Sequence, residues 1–189
     1  TTLPSSVLKQ IEGDLARTFP SHPYFEDEVG RVALRSVLIK VAAATREPGQ
    51  RHAVGYCQGM NFVAALTLLV AGPDVAVRVL LSLIKILPDH YSMSMEGTQV
   101  DIALLEAAIS ELDPETGTAL LSHMAKIECF LPLFCHRWFL CLFASVLPAE
   151  GALRVLDCTL AAGRDFLVAF AIAVLLDVSS ILLKTSEMD

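Results

Sequence analysis

The sequence predicts an all-α protein, a single compact bundle of about nine or more helices. Apolar residues recur at intervals of three and four positions along most of the 189 residues, and β-branched alternation is scarce. The apolar set makes up 54% of the chain and charged residues only 19%, against roughly 25% charged in an average globular domain. Much of each helix must therefore be buried against its neighbours.

The first predicted helix ends close to Arg17. Its apolar face consists of Leu8, Ile11 and Leu15, and Ser5 or Ser6 could cap its start. Pro20 and Pro23 follow, and proline cannot continue a helix because it lacks the backbone N–H. The pattern places Arg17 at or just past the end of this helix.

The second and third predicted helices flank a polar loop. Leu34, Val37, Leu38 and Val41 mark the second helix. A loop is expected over residues 47–52 because Pro48 and Gly49 break the helical pattern. The third helix is predicted over residues 58–70, so that Gln58 lies just after the loop and beside a helix start.

Six further helices follow, and the last three are the most apolar. They are predicted over residues 75–87, 99–112, 115–126, 131–146, 149–162 and 165–183. Asp113-Pro114 suits the first turn of one of them, and Gly163 suits the C-terminal cap of another. No internal repeat and no low-complexity stretch interrupts this series, so residues 1–189 are interpreted as one domain.

Composition and run lengths exclude several classes of function. The net charge of −7 and the lack of a basic run argue against a nucleic-acid partner. The longest apolar run, residues 166–176, is closed by Asp165 and Asp177 and is shorter than the ~20 residues of a membrane-spanning helix. We expect a buried core helix there and no direct membrane span. Residues 1–6 contain no basic residue followed by an apolar segment and so do not resemble a secretory signal, and we expect an intracellular location.

The residues that could hold a metal or a nucleotide do not form a recognisable site. The five histidines and five cysteines contain no His-x-x-x-His or Cys-x-x-Cys pair, and no phosphate-binding Gly-x-x-x-x-Gly-Lys-Ser/Thr loop is present. We expect no cofactor and no metal, and five reduced thiols. Any nucleotide that this chain meets would belong to another protein.

Two polar groups in apolar surroundings are the candidates for chemistry. Arg17 lies three residues after Asp14, which permits an ordinary helical ion pair, and Gln58 by itself could cap its own helix. A guanidinium group can instead stabilise charge on a transferring phosphoryl group, and a carboxamide can orient the attacking water. The residue types alone leave both interpretations open.

The segments around these groups resemble the two signature motifs of TBC domains, which are GTPase-activating proteins for Rab GTPases. Ile11, Asp14 and Arg17 form Ile-x-x-Asp-x-x-Arg, followed by Thr-Phe-Pro, and Tyr56 and Gln58 form Tyr-x-Gln within Gly-Tyr-Cys-Gln-Gly-Met-Asn. Residues 137–148 and 154–163 are similar to the family's C-terminal pattern. The resemblance covers nearly the whole chain and implies an orthogonal helical bundle.

The resemblance also implies a dual-finger mechanism. Arg17 would enter the Rab active site, and Gln58 would position the hydrolytic water in place of the Rab's own glutamine. Asp14 would orient Arg17, and Tyr56 would help set the loop that bears Gln58. GTP and Mg²⁺ would be carried by the partner, a Rab in its GTP-bound form, so the chain is expected to be cytoplasmic and peripheral to Rab-bearing membranes.

The chain departs from the family pattern at two places. Members usually have an Arg…Trp element ahead of the first motif, whereas this sequence starts ten residues before Ile11; we therefore expect a domain without that N-terminal segment. Leu156 stands where the family often has tryptophan, and Asp157 is expected to pair with Arg137 or Arg154.

Two alternative functions stay open, a catalytically silent Rab-binding scaffold of the same fold and a helical adaptor unrelated to GTPases.

Overall fold

Ten α-helices and no strand make up the part of the chain that the computed structural model describes, residues 3–46, 54–87, 89–92 and 94–185. The helices are α1 (Ser5–Leu15), α2 (Pro23–Glu26), α3 (Glu28–Ala44), α4 (Met60–Val70), α5 (Pro73–Ile86), α6 (Glu96–Leu112), α7 (Pro114–Lys126), α8 (Pro132–Cys141), α9 (Ala149–Ala162) and α10 (Arg164–Leu182). The all-α prediction is confirmed. The loop expected over residues 47–52 lies outside the described residues.

Helix α4 is the centre of the bundle. It packs against α1, α3 and α5 on one side and against α8 and α9 on the other. Most of its residues are buried, because its sequence is apolar all round rather than on one face. Its N-terminus follows directly on the Gln58 segment, so the most deeply buried helix of the fold anchors that segment.

Helix α6 organises the second half of the bundle and contacts α7, α8 and α10. The helix begins at Glu96, three residues before its predicted start, and Thr98 is a buried residue of its first turn. Pro114 occupies the first turn of α7 as predicted, and the Asp113 carboxylate caps that helix by accepting the backbone N–H of Thr116 at 3.0 Å. The difference in α6 lies at a helix end, where sequence patterns are weakest.

The predicted helix over residues 131–146 is too long. Helix α8 ends at Cys141 because Leu142 and Phe143 adopt left-handed backbone conformations, with φ of 47° and 59°. Both side chains are buried at 1% exposure, so core packing holds a backbone that is unfavourable for these residue types.

The short helix α2 was not predicted, because four residues are too few for a periodic pattern.

Helix α10 passes the length and composition test for a membrane span, with a mean hydropathy of 2.2 over its most apolar window. In the fold it packs against α6, α7 and α9. Only 28% of that window is buried, so the expected core helix is partly exposed.

Gly163 lies between α9 and α10 with φ of 76°, which confirms its predicted place at the end of α9.

Candidate functional site

Arg17 extends from the end of α1, two residues beyond the last helical residue, Leu15. Its Nε donates to Asp14 Oδ1 at 2.7 Å, and its Nη2 also donates to that oxygen. The Asp14 side chain is fully buried, whereas the Arg17 side chain is 60% exposed. A buried carboxylate therefore fixes the base of the guanidinium and leaves the other edge of it open to solvent.

Tyr56 joins the second motif to the first. Its hydroxyl donates to Asp14 Oδ2 at 2.5 Å, across 42 residues of sequence. Burial raises the pKa of Tyr56 well above its usual range, and the hydrogen bond to Asp14 raises it further. The phenol thus stays protonated and remains a donor, so both oxygens of Asp14 are occupied and the carboxylate cannot rotate away from Arg17.

Gln58 lies in a tight turn between the loop after α3 and the start of α4. Two glycines with positive φ bracket the turn, Gly55 at 64° and Gly59 at 109°. A Cβ on Gly59 would lie 2.9 Å from the carbonyl oxygen of Leu140, so α8 packs too closely for any other residue. Gln58 itself is exposed, and among the described residues none forms a hydrogen bond with its carboxamide.

A second bridge between the motifs runs through Asn61 and Thr18. Asn61 Oδ1 accepts the Gly59 N–H at 3.0 Å, a bond within the turn. Asn61 Nδ2 also donates to Thr18 Oγ1 at 2.7 Å, and that hydroxyl donates to the carbonyl of Asp14 at 2.6 Å. The side chains of Asn61, Thr18 and Asp14 are all buried. The long-range part of this bridge was missed because a sequence shows the turn but not what packs beside it.

The two motifs line one open groove of about 730 Å³. Arg17 and residues of the 54–59 segment line this groove together with residues of α8. Tyr91 also lines it and donates its hydroxyl to the carbonyl of Leu140 at 3.2 Å. Arg17 and Gln58 lie about forty residues apart in the sequence, and the structure brings both to the same cavity. Their supporting residues Asp14 and Tyr56 lie directly beside it.

The groove offers hydrogen-bond donors and two carboxamides, those of Gln58 and of Gln10 on α1. Burial raises the pKa of the Cys57 thiol to about 11, so this neighbour of Gln58 stays protonated at neutral pH. No group of three or more histidine, cysteine, aspartate or glutamate side chains among the described residues could hold a metal ion. The expected pair of Asp157 with Arg137 or Arg154 does not occur among the ion pairs of the described residues.

The bundle and its groove define the class of protein, a TBC domain of the RabGAP type. The crystal structure of the Chlamydomonas flagellar RabGAP TBC domain superimposes with a TM-score of 0.80 at 28% identity, over 97% of this chain and 58% of that one. The Ypt/Rab-GAP domain of Gyp1p shares the fold, with a TM-score of 0.72 at 19% identity over 96% of this chain and 63% of that one.

The chain belongs to the Rab-GTPase-TBC domain family, whose family model matches residues 2–183. It is 34% identical to growth hormone-regulated TBC protein 6 of Caenorhabditis elegans over 172 residues, which cover 90% of this chain and 49% of that protein. It is 31% identical to growth hormone-regulated TBC protein 1 of Homo sapiens over 180 residues, 94% of this chain and 52% of that protein. The chain thus spans about half the length of these relatives.

Proposed function

We propose that this chain is a GTPase-activating protein that accelerates GTP hydrolysis by a Rab-type small GTPase, with Arg17 and Gln58 as its two fingers. The observation that carries the proposal is the shared groove, in which an anchored but exposed guanidinium lies with an exposed carboxamide. The chain is then no enzyme by itself, since it supplies groups to an active site in another protein.

Arg17 acts on the charge of the transition state. Its planar guanidinium donates to the oxygens of the transferring phosphoryl group, which lysine cannot match because it lacks the fork of donors. Asp14 and Tyr56 hold the arginine in place before binding, which reduces the side-chain entropy lost in the complex. An arginine finger contributes about 10³ to 10⁵ in rate.

Gln58 acts on the nucleophile. A carboxamide has both a donor and an acceptor, so it can accept a hydrogen bond from the attacking water and donate to a phosphate oxygen at the same time. The rigid turn between Gly55 and Gly59 and the bridge through Asn61 fix its backbone relative to Arg17. GTP and Mg²⁺ are carried by the partner, which must be in its GTP-bound form, so this chain needs no cofactor.

The location of the protein follows from its partner. A GTPase activator of this kind works in the cytoplasm, peripheral to the membranes that carry its Rab, and the bound GTPase brings it to the membrane. We propose no nucleic-acid partner and no direct membrane span, because the chain is acidic overall and α10 packs against three other helices.

The proposal is tested by single-turnover GTP hydrolysis with a panel of Rab proteins, with and without this chain. Gln58→Ala should slow the stimulated reaction about 100-fold, the scale on which a misplaced reactant is penalised. Gln99→Ala is the matched control, since it removes an exposed carboxamide on α6 outside the groove. It should leave the stimulated rate unchanged.

Three outcomes would overturn the proposal or one of its assignments. Binding of a Rab without acceleration would instead identify a catalytically silent scaffold of the same fold. Absence of both binding and acceleration across the panel would remove the GTPase partner altogether. Full activity in Gln58→Ala would show that another group orients the water, even if the chain accelerates hydrolysis.

A further inference from the structure

The finger groove is positively charged on an acidic protein. The chain carries a net charge of −7, yet among the described residues the groove is lined by Arg17 and Arg137 and by no aspartate or glutamate. Asp14, which pairs with Arg17, is fully buried and already accepts from it. The groove therefore favours a partner that presents negative charge at this face.

Arg137 is the cation of this groove that the proposed chemistry does not use. It belongs to α8 and lines the groove, and its guanidinium carbon lies 5.6 Å from the centroid of the Phe62 ring. The side chain is exposed, and no carboxylate of the described residues pairs with it. A guanidinium held against an aromatic ring by a cation–π contact still has its in-plane N–H donors available.

The aromatic contact also fixes Arg137 relative to the first finger. Phe62 packs edge-on against Phe19 with ring centroids 5.5 Å apart, and Phe19 follows Arg17 by two residues. Leu133, one helical turn before Arg137 on α8, lines the same groove with 61% of its surface exposed. A cation and an apolar side chain are thus presented together at a set position beside the fingers.

We propose that Arg137 binds a surface carboxylate of the GTPase next to its nucleotide site, with Leu133 packed beside the same contact. The inference rests on the proposed function and adds a docking residue that sets affinity rather than the chemical step. A carboxylate is the ligand because Arg137 lies within a helix and against a ring. It cannot extend into a nucleotide pocket as Arg17 can from a helix end, whereas a bidentate carboxylate fits its exposed edge.

The test measures stimulated single-turnover hydrolysis as a function of the concentration of this chain, for the Rab that responds best. Arg137→Gln should raise the half-saturating concentration about tenfold, the scale of losing a hydrogen bond between charged groups, and leave the saturating rate unchanged. Arg137→Glu should raise it further. Arg78→Gln is the matched control, because Arg78 is exposed on α5 outside the groove.

Charge reversal on the GTPase identifies the partner group. Single surface carboxylates around the nucleotide of the Rab are changed to lysine one at a time. The variant that has lost the carboxylate bound by Arg137 should bind wild type poorly, and Arg137→Glu should rescue its binding. Binding to the Rab loaded with GDP and aluminium fluoride is measured in parallel, so that weakened binding by Arg137→Gln remains visible even if wild type fails to accelerate hydrolysis. That result would sink the proposed function and support the docking residue.

Three results would overturn the inference. A lower saturating rate with unchanged half-saturation would place Arg137 on the phosphoryl group. Unchanged kinetics would show that the residue has no contact with the partner. Absence of any Rab binding by wild type would remove the partner. Thermal unfolding of each variant shows whether loss of the Phe62 contact has disturbed the fold.

Discussion

Two buried aspartates in this fold have nearly the same local chemistry and different surroundings. Asp14 accepts from Arg17 and from the Tyr56 hydroxyl, and Asp101 on α6 accepts from Arg164 on α10 and lies 2.6 Å from His90 Nε2. Both carboxylates are fully buried. In each case one arginine and one ring side chain satisfy a charge that would otherwise be costly to bury.

The difference lies in what the arginine does with its remaining donors. Arg17 is 60% exposed and lines the groove that also holds Gln58, whereas Arg164 is 37% exposed and lies outside the groove. Asp14 therefore holds a guanidinium that lies open at the groove, and Asp101 joins Arg164 of α10 and His90 to α6. A buried Asp–Arg pair alone does not point to a catalytic site; the cavity beside Arg17 is what distinguishes the first pair.

The largest expected contrast comes from changing each arginine to lysine, which keeps the positive charge beside the carboxylate. Arg17→Lys should lower the stimulated rate about 1,000-fold, the lower end of the contribution of an arginine finger. Arg164→Lys should change that rate less than threefold. Single-turnover hydrolysis at saturating concentrations of each variant measures both, and equal losses would show that the two pairs do not differ in function.

A smaller contrast, now in stability, is expected for the aspartates. Asp101→Asn should lower the free energy of unfolding by about 3 kcal/mol, because the fully buried side chain loses the negative charge that pairs with Arg164. For a chain of this size that corresponds to a fall in Tm of about 6 to 12 °C. Thermal unfolding followed by circular dichroism measures the shift, and the folded variant should retain its stimulated rate.

Asp14→Asn is the matched variant for that experiment. It should also destabilise the fold, but the folded protein should in addition lose stimulated activity, since Arg17 is no longer anchored. If Asp14→Asn and Asp101→Asn lost activity to the same degree at a temperature where both are folded, orientation of Arg17 by Asp14 would not explain the loss of activity in Asp14→Asn.

The smallest effect is expected for Tyr56→Phe, which removes one hydroxyl. The variant should lose about 1 kcal/mol of stability, because a single hydrogen bond to a buried charged group disappears while the ring remains packed. The stimulated rate should fall about tenfold at most, with the affinity for the GTPase unchanged. Titration of the GTPase separates rate from affinity, and a change confined to affinity would mean that Tyr56 touches the partner instead.

Much of this architecture could be predicted from sequence because it depends on local patterns. The apolar periodicity indicated nine helices at close to their observed bounds, and Pro20 placed Arg17 just beyond α1. Family membership, seen first in the two motifs, is confirmed. The catalytic roles of Arg17 and Gln58 and the orienting roles of Asp14 and Tyr56 remain predictions.

The errors occurred where tertiary packing overrides local preference. Helix α8 stops early because Leu142 and Phe143 are forced into left-handed conformations by burial. Helix α10 resembles a core helix in composition, but only 28% of its most apolar window is buried. The bond from Asn61 to Thr18 was not predicted, and the expected pair of Asp157 with Arg137 or Arg154 does not occur among the described residues, where Arg137 packs on Phe62.

By itself the sequence determined which residues form helices and which two segments carry unusual polar groups, because both follow from neighbours within one or two turns. Only the tertiary structure decided that Tyr56 meets Asp14, that Asn61 meets Thr18 and that α8 faces the fingers. Such contacts join residues more than forty positions apart. Their geometry depends on how α1, α4 and α8 pack, and no local pattern encodes that arrangement.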